Sequence, residues 1–181
     1  MAASRNLEPP DGPVLIGLGA NLPSSGGAPQ ETCEAALDSL RAADVTIVRR
    51  SRWYRSAPVP PSSQPWFVNG VAVVDTVLDP VAFLALMLEI ERQFGRVRGA
   101  PAAARPLDLD LLDYRGEVRT GAPAPELPHP RLHERAFVLV PLAEVAPDWR
   151  HPLLGQSVEA LIEALPPGQA IDPIPAPAGP A

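Results

Sequence analysis

Residues 105–112 read RPLDLDLL, and their strict alternation leaves little choice of local structure. Side chains two apart on a strand point to the same side. Leu107, Leu109 and Leu111 therefore share one face, and Asp108 and Asp110 share the other. Aspartate is a poor strand former, and the two Cβ atoms would stand about 6–7 Å apart. A strand of this kind buries its leucine face and leaves the carboxylates open to water or to cations. Two like charges held side by side repel each other. A divalent cation between them removes that repulsion, and Mg²⁺ takes one or two carboxylates with substrate phosphates completing its shell. The pattern alone equally fits a half-exposed strand with solvated carboxylates.

The rest of the chain supplies neighbours for this strand. PVLIGLGANLP, residues 13–23, reads as a buried strand running into a Gly/Asn turn. A helix follows to about residue 43, with Cys33, Ala36, Leu37 and Leu40 at helical spacing. Residues 44–59 alternate as a strand leading into a Pro-rich loop, and residues 65–78 form the second strand of that pair. Asp79 and Pro80 supply a helix N-cap and a first-turn proline. That helix runs to about Phe94, with Gly95 placed to end it. Pro106 stands at the start of the third long strand, where proline is tolerated. Residues 126–147 read as a loop followed by a short strand or helix, and 157–165 as a last short helix. Residues 1–12 are expected to be a flexible N-terminus, 13–165 a single domain, and 166–181 a Pro-rich disordered tail. The order strand, helix, strand, strand, helix, strand predicts a ferredoxin-like α+β sandwich, a mainly antiparallel sheet with helices packed on it. That fold hosts many functions and decides none.

Composition excludes several classes. All fifteen basic residues are arginine. A Walker P-loop, a protein-kinase ATP lysine and a Schiff-base lysine are therefore absent. A net charge of −6 argues against binding nucleic acid through a basic surface. An RNA-binding module on this fold would need exposed sheet aromatics and a basic face, whereas aromatics make up only 5% of the chain. The single cysteine, Cys33, permits no internal disulfide and reads as a small core residue. No apolar run reaches membrane-spanning length and no signal peptide is visible, so a cytoplasmic protein without a membrane partner is expected.

A second candidate lies on the helix over 80–94. At about 100° per residue, Phe83, Leu84, Met87, Leu88, Ile90 and Phe94 share one arc, with Glu91 near its middle. A core-facing carboxylate near a helix C-terminus is disfavoured by desolvation and by the helix dipole. It needs an arginine or a ligand group as partner, unless the last turn has already left the core. Arg96 and Arg98 follow Gly95, and Arg105 precedes the Asp pair. They suit either the helix C-terminus or a phosphate clamp beside Mg²⁺. His129 and Arg135, in PHPRLHERAF, extend such a clamp, although a lone loop histidine is more often an ordinary surface residue. His133 and His151 carry no role in this reading.

Six stretches in fixed order now matter together: IGLGANL, WYRSAPV, QPWFVNGVAVVDT, EIERQFGRVR, ARPLDLDLL and LPHPRLHERAFVLVPLAEVAPDW. Over roughly residues 13–165 the chain resembles the 6-hydroxymethyl-7,8-dihydropterin pyrophosphokinases of folate biosynthesis. The resemblance implies transfer of pyrophosphate from ATP to the hydroxymethyl group of 6-hydroxymethyl-7,8-dihydropterin, with release of AMP, by a monomer. It implies two Mg²⁺ ions on Asp108 and Asp110, and Arg96 and Arg105 on the phosphates. Glu91, Arg98, Arg105, Leu111, His129 and Arg135 would line the ATP site. The pterin would lie between Phe67 and Phe137, two residues that otherwise read as plain core. Asn69 would meet its amide-like edge, and backbone groups near Ser56, Ala57 and Val59 would complete that edge. A different two-metal ATP-dependent transferase would share the Asp pair and the arginines without needing Asn69 between two aromatic faces. The chain departs from the family in GAPAAAR, residues 99–105, which lacks the tryptophan often found there. Pro130 stands where an aromatic often follows the histidine.

Overall fold

The structure, a computed structural model, describes residues 12–96 and 104–175. Strand β1 (Val14–Ala20) leads to helix α1 (Pro29–Ala42), then β2 (Thr46–Arg50), β3 (Tyr54–Ser56) and β4 (Phe67–Asp75). Helix α2 (Pro80–Gln93) precedes β5 (Asp108–Tyr114). A 3₁₀ turn (Leu132–Glu134), helices α3 (Ala136–Val145) and α4 (Val158–Glu163), and strand β6 (Ile171–Pro173) complete the chain. The sheet runs β5-β1-β4-β3-β6, with β2 also pairing β4. Every pairing between these strands is antiparallel. The expected ferredoxin-like α+β sandwich is thus the observed fold, with β6 as an added edge.

Alternation along the strands divides the core in two. Ile16, Leu18, Leu109 and Leu111 meet Leu37, Leu40, Phe83 and Met87 of α1 and α2 on one face. Leu15, Val71, Val73 and Leu112 meet Leu139, Leu142 and Leu161 of α3 and α4 on the other. Truncating any one of these buried leucines to alanine would cost about 2–5 kcal/mol. Helix α2 begins as the sequence predicts: the Asp79 carboxylate accepts the Val81 and Ala82 N–H groups, each at 2.9 Å. It ends at Gly95, whose φ of +86° is a left-handed conformation that glycine adopts without a Cβ clash.

Two expectations need correction, and one left open is resolved. The strand expected over 44–59 is two short strands, β2 and β3. Between them the Ser51 hydroxyl accepts the Val71 N–H at 3.0 Å, so a side chain takes a ladder position and the strand breaks. The segment left open between strand and helix is α3, despite Pro141 inside it, because its apolar run packs onto the sheet. The tail expected to be disordered from 166 is not so over 166–175: Ser56, Arg55 and Tyr54 pair with Ile171, Asp172 and Pro173. The unpaired outer edge of β3 accounts for this, since a proline-rich segment can still add a short edge strand.

Candidate active site

Alternation sends Leu107, Leu109 and Leu111 into the core under α1 and α2. Asp108 and Asp110 therefore point to the opposite face, the one α3 covers. Helix α3 starts only at Ala136, and the two carboxylates stay partly exposed. Tyr54, Asn69, Gly19 and Asp108 are successive partners across β3, β4, β1 and β5. With strands about 4.8 Å apart, the backbones of Asn69 and Asp108 lie about 10 Å apart, with glycine between them. A Cβ at Gly19 would stand 2.9 Å from Asn69 Oδ1 and 3.9 Å from the Asp108 Cβ. Gly19 is the bare floor between the two polar groups.

The β5 side of this floor is charged. Asp108 Oδ1 receives Arg96 Nη1 at 2.5 Å and Arg105 Nη1 at 3.1 Å. Asp110 lies 3.5 Å from Arg135 Nη1 and 3.9 Å from His129 Nε2. Glu91 is buried, as its place on the helical arc predicts, and it pairs with Arg96. Its Oε1 also accepts the Leu109 N–H at 2.7 Å, which satisfies a donor of β5, the terminal strand of the sheet. Burial outweighs Arg96 and that N–H, and raises the Glu91 carboxyl to about 7. Burial, then the neighbouring Asp108 charge, raises Asp110 to about 6. His129 is held down at about 4, first by burial and then by the Arg135 guanidinium, so its imidazole is neutral near pH 7. Its Nδ1 accepts the Arg131 N–H at 3.2 Å, which leaves Nε2 as the proton-bearing nitrogen facing Asp110.

The β3–β4 side is neutral. Asn69, buried, donates from Nδ2 to the Ser56 hydroxyl at 2.6 Å. Phe67 and Phe137 are half-buried, and the Arg135 guanidinium carbon lies 5.5 Å from the Phe137 ring centre. Ala57 spends its N–H on the Ala170 carbonyl at 3.1 Å, so that donor is taken, and Val59 is exposed in the loop. Leu111 is buried in the core, so its side chain is not on the surface of the site. Arg98 and most of the 99–105 loop lie outside the described residues. His151 is a turn former: its Nδ1 accepts the N–H groups of Leu153 and Leu154 at 3.2 and 3.3 Å.

Asn21 is among the residues that the sequence did not single out. Asn21, buried at the end of β1, accepts the Arg105 N–H at 2.8 Å. It donates to Gln64 Oε1 at 3.3 Å and to the Pro65 carbonyl at 3.2 Å. A single side chain thus ties the Arg105 loop to the segment that leads into Phe67. The only signal for it was an asparagine directly after a buried strand, which also describes an ordinary turn.

The donor set suits a hard divalent cation. Among the described residues no group of three or more His, Cys, Asp or Glu side chains is arranged to hold a metal. Two carboxylates alone match Mg²⁺, which leaves much of its shell to water and phosphate. Burial, then the Asp108 charge, disfavours an ionised Asp110, and a divalent cation between the two carboxylates would offset their repulsion.

The family model for 7,8-dihydro-6-hydroxymethylpterin-pyrophosphokinase matches residues 15–147. A Pseudomonas aeruginosa 2-amino-4-hydroxy-6-hydroxymethyldihydropteridine pyrophosphokinase is 42% identical over 154 residues, covering 84% of this chain and 91% of its own. A Synechocystis protein of the same name is 38% identical over 151 residues, covering 83% and 74%. Among solved structures, wild-type Plasmodium falciparum HPPK-DHPS with STZ-DHP superposes with a TM-score of 0.64 at 14% identity, over 84% of this chain. This chain spans 41% of that longer protein, so the likeness is one of fold. With two relatives near 40% identity and a family match over most of its domain, the chain belongs to the 7,8-dihydro-6-hydroxymethylpterin-pyrophosphokinase family.

Proposed function

We propose that this site transfers pyrophosphate from ATP to the hydroxymethyl group of 6-hydroxymethyl-7,8-dihydropterin, giving AMP and the pterin diphosphate, as the family name implies. The observation that carries the assignment of residues is the row Asn69–Gly19–Asp108, which puts a neutral slot and a carboxylate pair on one floor about 10 Å apart. Asp108 and Asp110 are the residues that hold Mg²⁺, two ions in this reading. When bound, the ions neutralise the triphosphate and polarise the phosphoryl group under attack.

The chain's own residues bind and orient. Arg96 and Arg105, which pair with Asp108, are the groups that meet phosphate oxygens in this reading. Arg135 and the Nε2–H of His129 flank the same phosphates, and a neutral His129 donates a hydrogen bond without adding charge. Glu91 keeps Arg96 in place from beneath. Arg98 completes the nucleotide contacts. Phe67 and Phe137 stack on the two faces of the pterin. The Asn69 amide, with backbone carbonyls near Ser56, Ala57 and Val59, reads its polar edge. The loose phosphoryl-transfer transition state asks mainly for alignment and charge stabilisation, which these groups provide. No helix among the described residues is long and apolar enough to cross a membrane. The same reading makes the protein a cytoplasmic monomer whose partners are its two substrates.

Incubation with ATP, Mg²⁺ and the hydroxymethyl pterin, followed by nucleotide analysis, tests the reaction. AMP is expected to appear one for one with pterin consumed. Stoichiometric ADP would identify a simple kinase and overturn the reading.

A further inference from the structure

Helix α3 is poorly equipped to hold its own first turn. Its N-cap, Arg135, makes no side-chain capping bond. Pro141 has no N–H to give the Phe137 carbonyl, four residues earlier. Yet this turn carries Arg135 and Phe137. The missing support comes from the C-terminal segment, beyond the family match that ends at residue 147. Gln169 Oε1 accepts the Ala136 N–H at 2.9 Å, and its Nε2 donates to the Glu134 carbonyl, also at 2.9 Å. One amide therefore brackets Arg135 from both sides. The next residue, Ala170, takes the Ala57 N–H at 3.1 Å, and Ile171–Pro173 pair with Ser56–Tyr54. A single segment is bonded at once to the turn bearing Phe137 and to the strand bearing Ser56, the partner of Asn69.

We propose that Gln169 is a positioning residue for the pterin slot, a helix cap supplied from the C-terminal segment that fixes Phe137 opposite the Ser56–Asn69 wall. The inference rests on the reading that pterin lies against Phe137. Gln169 acts through Phe137, so the two substitutions should not add.

The test is a double-mutant cycle on the full chain, titrating 6-hydroxymethyl-7,8-dihydropterin in the presence of a non-hydrolysable Mg–ATP analogue, with melting curves alongside. Gln169→Ala should raise the pterin Kd by about 5- to 10-fold, the loss of one or two hydrogen bonds of ordinary net strength. In a Phe137→Ala background the same change should raise it less than about 2-fold. Gln169→Glu keeps the acceptor for the Ala136 N–H but loses the donor to the Glu134 carbonyl, so it should restore only part of the affinity. An equal loss in both backgrounds, or no loss from Gln169→Ala where Phe137→Ala does weaken binding, would overturn the positioning role while leaving the pterin site intact. Unchanged pterin binding in Phe137→Ala alone would instead remove the pterin site, and this inference with it.

Discussion

The two halves of the site are built on opposite physical terms. On the β3–β4 side the polar groups are neutral and already paired, as with Asn69 on Ser56. On the β5 side, three carboxylates and three arginines lie within a few ångströms of each other. Each carboxylate here lies within reach of at least one guanidinium. On the proposed reading, nucleotide binding trades carboxylate–guanidinium pairs for carboxylate–metal and guanidinium–phosphate pairs. The neutral half is therefore expected to govern affinity for the ring, and the charged half to govern turnover.

The largest effect should come from the charged half. Asp110→Asn keeps the shape of the side chain and removes one charge. Turnover should fall by about 10²- to 10³-fold or more, the scale of losing one preorganised electrostatic contact. Stability should hold or rise, because the wild-type carboxyl is disfavoured by burial and by Asp108. Steady-state rates with a melting curve check this, and near-normal turnover in a folded variant would erase the distinction between the halves. Asp108→Asn should behave alike in rate.

The neutral half predicts a smaller and more selective loss. Phe137→Ala should weaken pterin binding by about 1–3 kcal/mol, taking base–aromatic stacking as a guide, with Mg–ATP binding little changed. Asn69→Ala should act in the same direction, since the ring's polar edge would lose its partner in a dry slot. If Phe137 is plain core, its truncation would instead cost about 3–5 kcal/mol of stability and reduce both ligands together. Gly19→Ala sharpens the comparison, because its methyl would press on Asn69 Oδ1 from 2.9 Å but sit at ordinary contact from Asp108. Pterin affinity should drop several-fold and nucleotide affinity less. Calorimetric titration of each ligand separates these outcomes.

The smallest effect is on pH. Glu91 and Asp110 titrate near 7 and 6 in the folded chain, above their ordinary values of 4.5 and 3.8. A carboxyl of this kind holds its proton more tightly when folded. Its stabilising contribution is complete below the unfolded value and is lost as pH rises through the folded one. The ligand-free protein should therefore lose a few degrees of melting temperature between about pH 4 and 7 on this account. Glu91→Gln should flatten that fall, and a wild-type melting temperature rising across the same window would contradict it.

Local features of the site were legible in the sequence, and long-range ones were not. The Asp108–Asp110 alternation and the inward place of Glu91 follow from periods of 2 and 3.6, which a single segment displays. Gly19 as a floor and Asn21 as a tie depend on which strands pair, and no segment of β1 shows that alone. The family resemblance supplied Phe67, Asn69 and Phe137 as candidate pterin residues, where residue patterns by themselves favoured core for the two phenylalanines. Gln169 had no signal at all. It lies in a Pro-rich stretch whose composition predicts disorder, and only the open edge of β3 gives that stretch something to pair with.

The trade of charge partners on β5 can be tested by measuring how strongly a non-hydrolysable ATP analogue binds to wild type and to Asp110→Asn, each in Mg²⁺ and in EDTA. With Mg²⁺ the carboxylate holds the cation, so the variant should bind more weakly than wild type. With EDTA the carboxylate only repels the triphosphate, so the variant should bind as well or better. The predicted result is this reversal of order. An Asp110→Asn variant that binds the analogue with the same Mg²⁺-dependent gain as wild type would contradict the account.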